Sequence, residues 1–324
     1  MIPVYWDYYQ SDESVYCGMI ENHKQLSNKT WFAGGAWCWY GMIPYNRFTL
    51  QSMIPALNAC KKHRIKNVFM TMWGDDGAEC SHFSQLPSLF YLAEYAKGNT
   101  DEAKIKAKFA RTFGIDFDEF MEIDCPNDVI EYQGRPCNPA KYMLYSDYFN
   151  GFMDYTIKPG AGEKYLGYSE KLRTTAKKSR RYGYVFDTAA KLCDVLAVKY
   201  DLGLRTREAY QAGDKDTLKA LAENEYARLG RLLDTFARAF EKQWMTDNKP
   251  HGFDVQDLRL GGLIRRTDAC RRRLLDYVNG KLDRIDELEE ALLPFGEKEK
   301  STTFNKAPMN ATVNVLHHNH NQIH

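Results

Sequence analysis

The chain has no paired cysteine motif and no long apolar run, and its charge favours neither sign. Its eight cysteines (Cys17, Cys38, Cys60, Cys80, Cys125, Cys137, Cys193 and Cys270) are scattered, and no C-x-x-C occurs. Zinc and dithiol spacings are therefore excluded. Scattered thiols fit a reducing compartment, so a cytoplasmic location is expected. No uninterrupted apolar stretch reaches membrane-span length, and no basic segment followed by an apolar one opens the sequence, so no membrane partner is expected. Lys and Arg total 44 against 43 Asp and Glu, a net charge of +1 that gives no reason to expect nucleic acid. No metal or cofactor motif is present, and neither is expected.

What is present is an ordinary soluble composition, 44% hydrophobic and 27% charged, over 324 residues. That length suits two domains. Aromatics reach 14%, which favours large cores and also ring-binding surfaces. The opening "MIPVYWDYYQ" reads as a buried strand ending in Asp7, where a frayed terminus is the usual finding.

Residues 1–100 alternate between strand and helix patterns. The predicted strands are "IPVYW", "WFAGGAWCW" and "NVFMTMW". Between and after them lie "DESVYCGMIENHKQL", with Val15, Met19, His23 and Leu26 on one helical face, "TLQSMIPALNACKKH", with Leu50, Met53, Leu57 and Cys60 at helical spacing, and "FSQLPSLFYLAEYAKGN". Pro55 kinks the second helix or marks a later start. Gly98 stops the third. Trp6, Trp37 and Trp73 recur at about the length of one βα unit, so three parallel units are expected here.

From residue 101 the pattern is helical, and a bundle is expected over 101–300. "DEAKIKAKFARTFG" ends at Gly114. Leu218, Leu221, Leu229, Leu232, Phe236 and Phe240 form one apolar stripe, and a further long helix runs on to Pro294. The basic runs at 177–181 and 271–273 read as solvated helix faces. The polar tail 301–324 reads as loosely ordered, its histidines too irregular for a metal site.

In parallel α/β arrays, ligands sit at the carboxyl ends of the strands. Those ends read "VYWDYY", "GGAWCWYG" and "MTMWGDDGAE". Period-two alternation puts Tyr5 with Asp7, Trp37 with Trp39, and Trp73 with Asp75. Indole and phenol rings beside carboxylates suit a sugar, whose C–H face stacks on aromatics and whose hydroxyls need acceptors. Gly34 and Gly35 would admit a close backbone or ligand. The competing reading is that these rings are packing under helices.

These blocks, with "NPAKYMLYSDYF", resemble the C-terminal part of family 20 glycoside hydrolases, the β-N-acetylhexosaminidases, and among them the bacterial subgroup whose barrel precedes a long helical domain. The resemblance runs from residue 1 to about 295. It implies the last three units of a (β/α)8 barrel, a partial TIM barrel, followed by a helical bundle. It also implies a pocket for a terminal N-acetylhexosamine and a substrate-assisted reaction without a cofactor. The family's Tyr-x-Asp falls on Tyr5, which would hold the acetamido oxygen, and Asp7, which would bind the ring. Its tryptophan walls fall on Trp37, Trp39 and Trp73. Its Trp-x-acid pair falls on Trp73 and Asp75, one strand later than usual, since "CWYG" lacks the acid.

The family's catalytic Asp-Glu pair should end a strand. Here such pairs occur only at 12–13, 101–102, 118–119 and 286–287, all in helical context. The expectation is a C-terminal portion, inactive alone, whose Met1 is internal to a longer ancestral protein. The alternatives are a subunit of a split enzyme that completes its barrel with another chain, and a non-catalytic sugar-binding or oligomerising protein. The expected partner is an N-acetylhexosamine-terminated glycan. Residues 248–262 pack either on the barrel or on a second subunit, which allows a homodimer through the helical domain.

Overall fold

The computed structural model describes residues 1–39, 41–129, 139–151, 154 and 157–291, with the Asp76 side chain set aside. The 301–324 tail, Cys137 and Pro294 lie outside the described residues. The chain divides into two compact units. The first comprises Met1–Asp124 and Lys177–Tyr182; the second comprises Cys125–Ala176 and the residues from Gly183 onward.

Three short strands form the sheet of the first unit: β1 (Val4–Trp6), β2 (Trp31–Gly35) and β3 (Val68–Thr71). They are parallel, in the order β1-β2-β3, with Tyr5 opposite Phe32 and Ala33 opposite Phe69. The alternation of strand and helix predicts this arrangement, although β2 and β3 end earlier than expected. Trp37, Trp39, Trp73 and Asp75 therefore stand beyond the strands, and period-two alternation does not govern them.

Helices α1 (Glu13–Leu26) and α2 (Asn46–Lys62) cover one face of the sheet. Tyr5 and Phe32 point into that layer and pack with Tyr16, Cys17, Ile20, Met53, Leu57 and Cys60. The expected apolar face of α1 is corrected here. Tyr16, Cys17 and Ile20 are its buried side, while Val15, Met19 and Leu26 are exposed. Two stripes compete on this helix, and the one carrying the larger ring wins the core. Pro55 sits inside α2, which starts upstream of it.

Helices α3 (Leu86–Ala96), α4 (Glu102–Phe113) and α5 (Phe117–Met121) also belong to the first unit. Gly98 and Gly114 adopt positive φ where α3 and α4 stop, a conformation that glycine takes without strain. Phe109 is fully buried against Phe90, Phe113, Phe117 and Phe120. This phenylalanine cluster ties α4 and α5 to α3, so the first unit extends past residue 100 to Asp124.

The second unit is helical among the described residues: α6 (Pro139–Tyr145), α7 (Ala161–Lys178, whose last two residues belong to the first unit), α8 (Gly183–Lys199), α9 (Leu202–Gln211), α10 (Lys215–Ala220), α11 (Ala227–Asp247), α12 (Phe253–Val278) and α13 (Asp286–Glu289). A π-helical turn, Leu221–Tyr226, joins α10 to α11. The buried stripe here is Leu218, Leu221, Leu229, Leu233, Phe236 and Phe240, with Leu233 in the place expected for Leu232. Helix α12 ends at Val278, and Gly280 follows with φ of 73°, so the stop comes well before Pro294.

The loop after α6 is held by cations. Asp147 accepts the Phe149 and Asn150 amides and two bonds from the Arg266 guanidinium, at 2.6 and 2.9 Å. Lys199 donates to the carbonyls of Met143 and Ser146 and lies 4.5 Å over the Tyr148 ring. Arg207 donates to the Phe149 carbonyl. The sequence "YSDYF" is thus a buried, hydrogen-bonded strut in this unit. No described helix is long and apolar enough to cross a membrane.

Candidate functional site

The carboxyl ends of β1, β2 and β3 gather the candidate residues into two groups. The first forms around Asp7. Its Oδ2 accepts the Tyr5 hydroxyl at 2.9 Å and its Oδ1 accepts the Tyr9 amide at 2.9 Å. The Tyr5 ring lies on the helix side of the sheet, against Tyr16, His23 and Phe32. Burial, followed by the bond and charge of Asp7, pushes the Tyr5 hydroxyl above its ordinary range, so it serves as a neutral donor. The expected sharing of a face is corrected to this extent: Tyr5 points into the core, and only its hydroxyl reaches the carboxylate.

Trp37 and Trp39 pack on each other at 4.5 Å between ring centroids. Tyr8 meets Trp39 at 5.0 Å and Tyr9 meets Trp37 at 5.2 Å. The polar groups of Trp37 are fixed from several sides. Its amide donates to Thr49 Oγ1, its indole N–H to the Tyr8 carbonyl, and its carbonyl accepts from Gln85 Nε2. Trp37 and Trp39 are 1% and 3% exposed, so in this state Tyr8 and Tyr9 cover them. The two glycines are filled from within the chain. A Cβ on Gly35 would lie 2.7 Å from the Tyr8 ring, and one on Gly34 would lie 2.5 Å from Met53 Sδ.

The second group is separate. Trp73 stacks on Trp6 at 5.5 Å, and Trp6 meets Phe69 edge-on at 6.0 Å. These three rings stand open to solvent on the sheet face that no helix covers among the described residues. Asp75 begins a single 3-10 turn, Asp75–Gly77, and partial desolvation raises its carboxyl. Cys38 donates to the Trp73 carbonyl at 3.6 Å, and its thiol is pushed up to about 12 by burial and then by the charge of Asp75. Ala78, just past the turn, holds φ of 52°, a strained value for a residue with a Cβ.

Sequence patterning thus brings Tyr5 to Asp7 and Trp37 to Trp39, but leaves Trp73 with Trp6 instead of in one wall with the other indoles. It missed Trp6, Tyr8 and Tyr9. The signal for Trp6 was there: a residue next to a buried strand tyrosine takes the opposite face. The Asp-Glu pairs lie where expected. Asp12 and Asp101 cap α1 and α4, Asp118 and Glu119 lie in α5, and Asp286 and Glu287 lie in α13. Among the described residues no cluster of three or more His, Cys, Asp or Glu side chains is placed to hold a metal ion. The cysteines described are buried and free of disulfides.

No curated protein matches the chain. Residues 116–307 match the family model described as the Glycoside Hydrolase 20C C-terminal domain. The matched stretch covers more than half of the sequence and takes in α6 to α13, the helices around the "YSDYF" strut. On that match, this chain belongs to the glycoside hydrolase 20C family through its C-terminal domain.

Proposed function

We propose that this chain is the C-terminal portion of an exo-β-N-acetylhexosaminidase: its three βα units are part of a (β/α)8 barrel, and its helical unit is the domain that follows. The substrate class is a glycan ending in N-acetylhexosamine, hydrolysed with retention by attack of the sugar's own acetamido oxygen. The observation that carries the reading is the Tyr5–Asp7 hydrogen bond at a strand's carboxyl end beside the Trp37–Trp39 pair. A membership resting on the family 20C match supports it.

In this reading Asp7 binds a ring hydroxyl, and the Tyr5 hydroxyl, already 2.9 Å away, turns to the acetamido oxygen. Trp37 and Trp39 form the floor beneath Tyr8 and Tyr9. Trp73 and Asp75 take the outer hydroxyls. The reading places the proton donor outside these residues, and it is supported by the position of the Asp-Glu pairs in helices instead of at strand ends. The scattered thiols support a cytoplasmic site of action.

The test is turnover of 4-nitrophenyl N-acetyl-β-glucosaminide by the purified chain. The expected result is no hydrolysis above the buffer rate. Robust turnover would place a general acid within these residues and sink the reading of an incomplete site.

A further inference from the structure

At the amino ends of β2 and β3 the surface is basic and concave. The turns that lead from α1 into β2 and from α2 into β3 lie side by side, because the register that sets Phe32 opposite Val68 also brings Thr30 and Trp31 beside Lys66 and Asn67. Here lies a cleft of about 480 Å³, a size that takes a small organic molecule.

Its lining carries one sign of charge. Lys24, Lys29, Arg64 and Lys66 line it, and among the described residues no carboxylate does. Elsewhere in this unit lysines sit beside acids: Lys106 pairs with Glu102 and Asp118, and Lys108 with Glu94. Among the described residues Lys29, Arg64 and Lys66 have no such partner. His63 also lines the cleft, and Glu21 Oε1 stands 3.7 Å from its Nε2.

The cations are carried on fixed turns. Ser27 Oγ accepts the Lys29 amide at 3.1 Å, and the Ser27 carbonyl accepts Thr30 Oγ1 at 2.9 Å. Lys24 Nζ donates to the His63 carbonyl at 3.2 Å, which ties the end of α1 to the end of α2. The Arg64 and Ile65 amides bond back to the Lys61 and Cys60 carbonyls. Arg64 holds φ of 57°, just past a helix, where glycine is the usual residue. An arginine there strains the backbone. Its side chain is exposed, so core packing does not account for it.

We propose that this cleft binds a small organic phosphate. The phosphoryl group sits among Lys24, Lys29, Arg64 and Lys66. The organic part lies against Trp31 and Ile65, and Asn28 and Asn67 offer amides to its hydroxyls. Four cations exceed what a single carboxylate neutralises, whereas a phosphate monoester carries close to two negative charges at neutral pH. The Arg64 fork matches phosphate oxygens, and the lysines act as point charges. A cleft lined by one sign focuses the field and concentrates such an anion. The cations sit on two neighbouring turns and not along a track, which suits a compact anion better than a nucleic acid strand. The cleft lies at the opposite strand ends from Asp7 and Trp37, so it stands independently of the hydrolase reading.

The experiment is calorimetric titration of the full chain with glucose 6-phosphate, inorganic phosphate and glucose. The ester should bind one to one, inorganic phosphate several-fold more weakly, and glucose not at all. Added salt should weaken the ester several-fold. Arg64→Gly removes the strained φ, so it should melt no lower than the unaltered chain while weakening the ester about 10-fold or more. Lys66→Glu, at an exposed position, should leave melting unchanged and abolish binding. No binding of the ester, inorganic phosphate bound as tightly as the ester, or an affinity unmoved in both variants would each overturn the proposal. A DNA duplex that binds through the same two residues more tightly than the ester would also overturn it, in favour of a polyanion.

Discussion

At the scale of single residues, two neighbours in the chain have opposite fates. Tyr5 is buried among helix side chains, and Trp6 is open on the other face of the same strand. Gly35 depends on a similar contrast, because its missing Cβ is what lets the Tyr8 ring lie over β2. Gly35→Ala should displace that ring and cost about 1–3 kcal/mol in urea unfolding. In the second unit, burial alone would raise the Asp147 carboxyl, but the Arg266 hydrogen bonds and charge win and hold it below its ordinary value. Arg266→Ala would strand that buried carboxylate and should lower stability by about 3–5 kcal/mol. Arg266→Lys should recover only part, since a lysine cannot make the two-pronged contact.

Helix α2 shows what an element needs from distant sequence. Its N-cap, Tyr45, contributes no side-chain bond. The role passes to Asp124, whose carboxylate accepts the Arg47 amide at 2.8 Å and Asn46 Nδ2 at 2.9 Å. Burial pushes the Asp124 carboxyl up to about 7, against the bonds and charge that favour ionisation. A carboxyl raised on folding contributes stability fully below its unfolded pKa of about 3.8, and that contribution is lost as pH rises to about 7. Chemical unfolding measured from pH 4 to 7 should therefore show a decline that Asp124→Asn flattens. The helices themselves were legible, because apolar spacing and stop glycines are local signals. The Asp124 cap was not, since nothing local in "PYNRFT" or "IDCPND" links an aspartate to a helix start so far away. The strand ends were misplaced for a related reason: aromatic runs continue past the point where hydrogen bonding to the neighbouring strand stops.

For the whole molecule, the three parallel units were legible from their repeat length, and so was the helical second half. The division between compact units was not, because the phenylalanine cluster that carries α4 and α5 into the first unit is a long-range event. The segment Lys177–Tyr182 was also unforeseen; its basic residues read simply as a solvated surface. Tyr182 is buried against Phe83, Phe113 and Phe120, and Lys178 pairs with Glu119. Tyr182→Ala should cost about 3–5 kcal/mol. Its signature in hydrogen exchange should be lost protection across α4 and α5, far from residue 182 in the sequence.

That short return segment has a consequence for biosynthesis. The first unit is encoded in two pieces, with a stretch of the second unit translated between them. Until Lys177–Tyr182 has been synthesised, the place that Tyr182 fills among Phe83, Phe113 and Phe120 lacks its occupant. The first unit becomes whole only when Tyr182 has cleared the exit tunnel, so its final consolidation waits on synthesis of part of its neighbour.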